Sequence, residues 1–277
     1  MSAPGRPRRL IVNADDFGRS HSINEGVRRA HREGILTSAS LMVNEPAFDE
    51  AVALAGECPR LGVGLHLVLA CGKATLSASQ VPGLVDRDGQ FSSHPVRTGT
   101  GYFFKPSLRP QLRAEIRAQF DRFRATGLPL DHLNGHLHLH LHPAVFPILV
   151  EEFSTLGWTR IRLTRDPLWF NLRLAKGRLA YRLAHAMIYS ALSACAVPSL
   201  RRLGARHTNR VFGLLQNAHV DERFLLRLLE QLPPGDSELY SHPSLDESKH
   251  EFEALVSPRV LAKVRDSGIA LNRYSDL

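Results

Sequence analysis

Two hydrophobic periods alternate along this chain. Short apolar runs, such as Leu10-Ile11-Val12 and Leu61-Gly62-Val63-Gly64-Leu65-His66-Leu67, read as buried strands. Between them, apolar residues return every third or fourth position. Ile23, Val27 and Ala30 share one face of a helix expected from Ser22 to Glu33, with capping-box spacing from Ser22 to Glu25 and Gly34 as its stop. Further strands are expected over 37–43, 130–136, 159–163, 211–214 and 238–241, with a last short one at 269–271. Helices are expected over 46–55, 108–126, 143–156, 167–197 and 221–231, and then to about Ser267. Strand and helix alternate without an internal repeat, which predicts a parallel sheet. Polar residues cluster where strands should end: Asp15, Asp16, His66, His136, Arg162 and His242. In a barrel those ends share one rim. The pattern therefore predicts an α/β fold, an irregular TIM-barrel-like (β/α) barrel of about seven strands, in a single domain over 1–277.

Two segments interrupt the rhythm. Residues 70–107 shift to Gly, Ser, Pro and Asp, which reads as a lid or substrate loop. Residues 167–204 form a basic, amphipathic helical insertion. Arg178, Arg182, His185, Tyr189 and Ser193 fall on one helical stripe, with Leu179, Leu183, Ala186 and Met187 away from it. Leu183 to Leu200 contains no charged residue, yet Ala, Ser, His185 and Pro198 argue against a membrane span. The segment reads instead as lying on a membrane surface, with Trp169, Arg173, Lys176, Arg178 and Arg182 facing the lipid.

Charge sharpens this picture. Of the net +8, about +10 falls between Arg160 and Arg210, where eleven basic residues face one acid, Asp166. A local basic zone fits one anionic surface rather than nucleic-acid binding by the whole protein. Three scattered cysteines and no apolar leader after the basic N-terminus point to the cytoplasm.

The chemistry lies in two places. Adjacent Asp15 and Asp16 at a strand end need a cation, a shared proton or a strong donor. The run from His132 to His142 alternates His or Asn134 with Leu or Gly135, so an extended chain would place all its polar residues on one face. Imidazole and carboxylate suit zinc and related ions, but same-face residues lie roughly 6.5–7 Å apart, so they cannot all hold one ion. The extra histidines are expected to orient ligands or line a substrate cleft. No serine nucleophile elbow is present.

Asn13-Ala14-Asp15-Asp16-Phe17-Gly18, Gly64-Leu65-His66-Leu67, the His-x-x-x-His-x-His-x-His run and Tyr240-Ser241-His242-Pro243 together resemble the YdjC-like carbohydrate deacetylases. The resemblance spans nearly the whole chain, and the basic insertion and His run are most similar to the deacetylases of hopanoid biosynthesis. It implies an amide hydrolase on an irregular barrel, with one divalent ion, zinc or magnesium, held by Asp16, His66 and His136. It implies Asp15 as catalytic base. Asn134 departs from the Asp common at that position in related sequences. An amine leaves poorly unless protonated, and His242 is the expected general acid. Arg162, His138 and His140 are expected to contact substrate. The implied substrate is an N-acetylglucosamine headgroup on a hopanoid lipid, with peripheral contact at the inner membrane surface. A soluble chito-oligosaccharide is the alternative, and the sequence leaves room for a homodimer. A non-catalytic metal-binding membrane scaffold would have no use for Asp15.

Overall fold

The computed structural model describes residues 6–174, 177–216 and 218–277. Its seven strands are β1 (Arg8–Phe17), β2 (Ser38–Leu41), β3 (Gly62–Leu67), β4 (Leu133–Gly135), β5 (Arg210–Phe212), β6 (Gly235–Ser241) and β7 (Ala270–Asn272). All pairs are parallel, in the order β4-β3-β2-β1-β6-β5, with β7 added against the start of β1. The expected strand over 159–163 is reduced to two parallel bridges, Leu133↔Ile161 and Arg160↔Arg206. These bridges carry the curl from β4 toward β5, so the sheet forms the irregular barrel that the alternation predicted.

Each barrel strand sorts its side chains by face. Leu10, Val12 and Ala14 join the apolar core with Val27 and Ala30 of the helix His21–Glu33. Asn13 and Asp15 point the other way, where they bond to Ser40 or Asn134. The barrel interior is therefore polar and hydrogen-bonded, and the apolar layer lies between strands and helices. Every buried polar group inside must find a partner or destabilise the fold.

Local details differ from expectation. The first helix begins at His21, because Ser20 is extended and its hydroxyl accepts from Ile23 N at 3.3 Å. Ser22 and Glu25 lie inside that helix, and Glu25 pairs with Arg28 instead of capping. The segment 70–107 is not all loop: Pro95–Phe104 is a helix with Val96, Phe103 and Phe104 exposed. Its first part is pinned by buried Glu115, which accepts from Thr75 N at 2.8 Å and Leu76 N at 3.0 Å.

The basic insertion forms two helices, Leu168–Leu174 and Leu179–Leu203, joined through Gly177 and Arg178 with positive φ. Its orientation is the reverse of a solvated basic face. Arg182 and Ser193, on the polar stripe, are buried, while Leu179, Leu183, Met187 and Ile188 are 40–67% exposed. Ser193 Oγ lies 3.3 Å from Thr164 Oγ1, and Arg182 interacts with Asp166. The stripe turns inward because the barrel supplies its polar partners. Arg182 is thus not lipid-facing as expected. Trp169 (78% exposed), Arg173 and Arg178 are on the surface, and Lys176 lies outside the described residues.

Candidate active site

β1 ends in a bulge. Ala14 pairs with Ala39 and Phe17 with Leu41, so Asp15 and Asp16 stand opposite Ser40 alone. Asp16 adopts φ 63°, a left-handed conformation that Asp tolerates better than most residues. Adjacent strand residues ordinarily point to opposite faces. The bulge re-aims Asp16, and both carboxylates reach one rim with separate sets of partners.

Asp15 is held from inside the barrel. Arg162 grips it bidentately, Nη1 to Oδ2 at 2.6 Å and Nη2 to Oδ1 at 2.9 Å. Asn13 and Asn134 also donate to Oδ1. Burial opposes ionisation, but the Arg162 guanidinium outweighs it and holds the Asp15 carboxyl well below the usual range. Arg162 in turn donates to Glu238 and lies over the Tyr240 ring, and Tyr274 OH donates to the other oxygen of Glu238. Arg162 is completely buried, so it fixes Asp15 instead of contacting substrate as expected.

Asp16 faces the cleft. Its Oδ1 lies 3.3 Å from His66 Nε2 and 3.1 Å from His136 Nδ1, and its Oδ2 accepts from Arg19 at 2.9 Å. One donor atom from each of Asp16, His66 and His136 lies within 4.8 Å of the others. His66 Nδ1 is 2.7 Å from Asn134 Oδ1. The carbonyl oxygen of Asn134 only accepts, so Nδ1 carries a proton and Nε2 is the ring nitrogen left to ligate an ion. Burial opposes ionisation of Asp16, but the two imidazoles overcome it and depress its carboxyl. Two imidazole nitrogens and a carboxylate, one imidazole locked in the ligating tautomer, fit a divalent transition ion.

His242 follows β6 on the same rim. Its backbone N–H donates to buried Glu251 at 2.6 Å, and its Nδ1 lies 3.7 Å from that oxygen. Burial disfavours the imidazolium, but Glu251, Asp16 and Asp15 outweigh it and raise the pKa to about 9, which favours the charged ring. Asp16, Arg19, His136 and His242 line one cleft of about 450 Å³.

The histidine run does not continue as a strand. After Gly135, Leu137 and His138 adopt φ 54° and 57°, and the chain tightens into a 3-10 turn through Leu141. The turn folds back closely: a Cβ at Gly135 would lie 3.1 Å from Leu67 O and 3.2 Å from His140 Cβ. His136 alone stays at the rim. His138 is buried against the Tyr240 hydroxyl at 3.0 Å, and His140 against the Arg162 carbonyl at 3.0 Å. Both therefore brace the site from within, where substrate contact had been expected.

Asn13, Arg19, Ser40, Glu238 and Glu251 were not anticipated from the sequence. Asn13 interrupts an apolar strand, which is a usable signal, whereas Glu238 lies in the mostly polar Gly235–Ser241. Glu251 lies on the helix Lys249–Val256 and gives none.

Fold and rim together define an α/β-barrel protein whose converging Asp and His donors stand beside an arginine-tethered carboxylate, an arrangement suited to hydrolysis at a metal centre. More particularly, the chain belongs to the YdjC-like protein family, whose model matches residues 9–266. A carbohydrate deacetylase of Brevibacillus brevis is 48% identical over 148 residues, 52% of this chain and 56% of that protein. The matched stretch thus spans about half of that relative's length. A carbohydrate deacetylase of Thermoanaerobacter pseudethanolicus is 29% identical over 280 residues, 97% of this chain and 98% of the relative. An Enterococcus faecalis protein described as a cellobiose-phosphate cleavage protein shares the fold, with TM-score 0.74, 22% identity and 98% of each chain covered.

Proposed function

We propose that this protein is a metal-dependent hydrolase that removes the acetyl group from an N-acetylated amino sugar. One observation carries the reading: the bulge gives two adjacent carboxylates different partners, Arg162 for Asp15 and two imidazoles for Asp16. A divalent cation held by Asp16, His66 and His136 would acidify water and polarise the acetyl carbonyl. Arg162 keeps Asp15 ionised and aimed, so Asp15 takes the proton of the attacking water. His242, charged and backed by Glu251, gives a proton to the departing amine nitrogen. Asn134 holds His66 and Asp15 in register with one amide.

The substrate in this reading is an N-acetylglucosamine headgroup carried by a hopanoid lipid, and the protein works in the cytoplasm at the inner membrane surface. The exposed apolar residues of Leu179–Leu203, with Trp169, Arg173 and Arg178 also on the surface, support this. That helix is long and apolar enough to cross a bilayer. Its inner stripe is packed on the barrel, which supports lying on the membrane over crossing it. A soluble chito-oligosaccharide is the second reading, supported by a Proteus mirabilis relative named chitooligosaccharide deacetylase, 38% identical over 162 residues.

The test is acetate release from the glycolipid in vesicles and from a soluble chito-oligosaccharide, each with chelator and after metal is restored. Metal-dependent release from the glycolipid, with little from the oligosaccharide, is expected. The reverse preference moves the soluble reading ahead, and no release from either contradicts deacetylation.

A further inference from the structure

A second cavity, of about 400 Å³, shares no lining residue with the catalytic cleft. Arg178, Arg182, Arg223 and Arg227 line it with His219, against one acid, Asp221. The acid is already engaged: Asp221 caps the helix Glu222–Gln231 and accepts from Phe224 N at 2.7 Å. Arg227 spends one N–H on Leu174 O at 3.0 Å. Arg178 and Arg223 have no acid within salt-bridge distance among the described residues. Arg182 is buried at the wall, with Asp166 as its interacting carboxylate.

Like charges gathered around one concavity repel one another, and a chain gains nothing from that arrangement unless an anion enters. Guanidinium groups present planar forks that match phosphate oxygens, and several around one hollow suit a dianion better than a carboxylate. We propose that this cavity is a binding site for a phosphate group. The phosphate has two available sources. Arg178 precedes the helix whose outer face exposes Leu179 and Leu183, so a phospholipid headgroup can reach the cavity when that face lies on a bilayer. A soluble phosphate ester is the other source.

Inorganic phosphate is the probe, titrated calorimetrically into the metal-loaded protein in chloride buffer. Saturable binding is expected, weakened about tenfold or more in the double variant Arg178→Gln/Arg223→Gln, which loses two charge-assisted contacts. Both side chains are exposed, so the variant should keep the wild-type melting temperature. Chelator-treated wild type and Asp16→Asn, both lacking the catalytic metal, should bind phosphate as the loaded wild type does. No saturable binding, equal binding by the double variant, or loss in the metal-free proteins overturns the proposal. Phosphatidylcholine vesicles with and without phosphatidylglycerol then separate the sources. If free phosphate and the double substitution both abolish binding to the anionic vesicles, the site takes headgroups. If vesicle binding survives both while phosphate binding is lost, it takes a soluble phosphate.

Discussion

Asp15 and Asp16 differ in partners more than in chemistry, and substitution should separate them. Asp15→Asn should keep the metal and lose about 10²–10⁴-fold in turnover, because an amide cannot accept the water's proton. Asp16→Asn should instead lose metal, measurable by elemental analysis of the purified variant. Asn134 gives a subtler prediction. Its Oδ1 accepts from His66 while its Nδ2 donates to Asp15 at 3.1 Å. Asn134→Leu removes both contacts, and metal affinity should fall roughly 10–100-fold, as for other groups that orient ligands. An affinity unchanged in competition with a chelating dye would contradict that role. For His242, ring titration by NMR in chelator should give a pKa near 9, and Glu251→Gln should bring it down toward the usual 6.5. Because the folded value is raised, this pair's contribution to stability is complete below about 6.5 and is lost as pH rises through about 9. The Asp pair and three of the histidines were visible in the sequence as chemistry, but Arg162 and Glu251 became supports only once the fold brought them there.

At the scale of elements, period alone misjudged two stretches. The His-Leu alternation from His132 to His142 has a strand's period, yet only Leu133–Gly135 is strand. The backfold at Gly135 and two left-handed residues override it, and they put His138 and His140 under the site. In Leu179–Leu203 the helix was legible and its stripe was real. Which side faced inward depended on Thr164 and Asp166, contributed by another part of the chain. The exposed side yields a prediction: Met187→Glu with Ile188→Glu should abolish sedimentation with anionic vesicles and leave thermal stability near wild type, since both residues are more than half exposed. Vesicle binding equal to wild type would remove the membrane from the account. Glu115 supplies a contrasting case. Glu115→Ala strands the Thr75 and Leu76 amides, so stability should fall by about 1–3 kcal/mol in denaturant unfolding. Proteolysis should then start in the segment 70–94.

The whole molecule places residues from distant parts of the chain on one rim. A parallel barrel brings together the C-terminal ends of β1, β3, β4 and β6, and with them Asp15, Asp16, His66, His136 and His242. The alternation of strand and helix made that convergence readable in advance. The strand expected over 159–163 was too strong a reading, since that segment forms only the single bridges Leu133↔Ile161 and Arg160↔Arg206. The polar interior, from Asp15 through Arg162 to Glu238 and Tyr274, then ties the base to the far side of the barrel. The most direct test of the account measures metal content and acetate release together, on one N-acetylated amino sugar, for wild type, Asp15→Asn and Asp16→Asn. A loaded but nearly inactive Asp15→Asn and a depleted, inactive Asp16→Asn are expected. A depleted Asp15→Asn beside a loaded Asp16→Asn, or full activity in either variant, would contradict it.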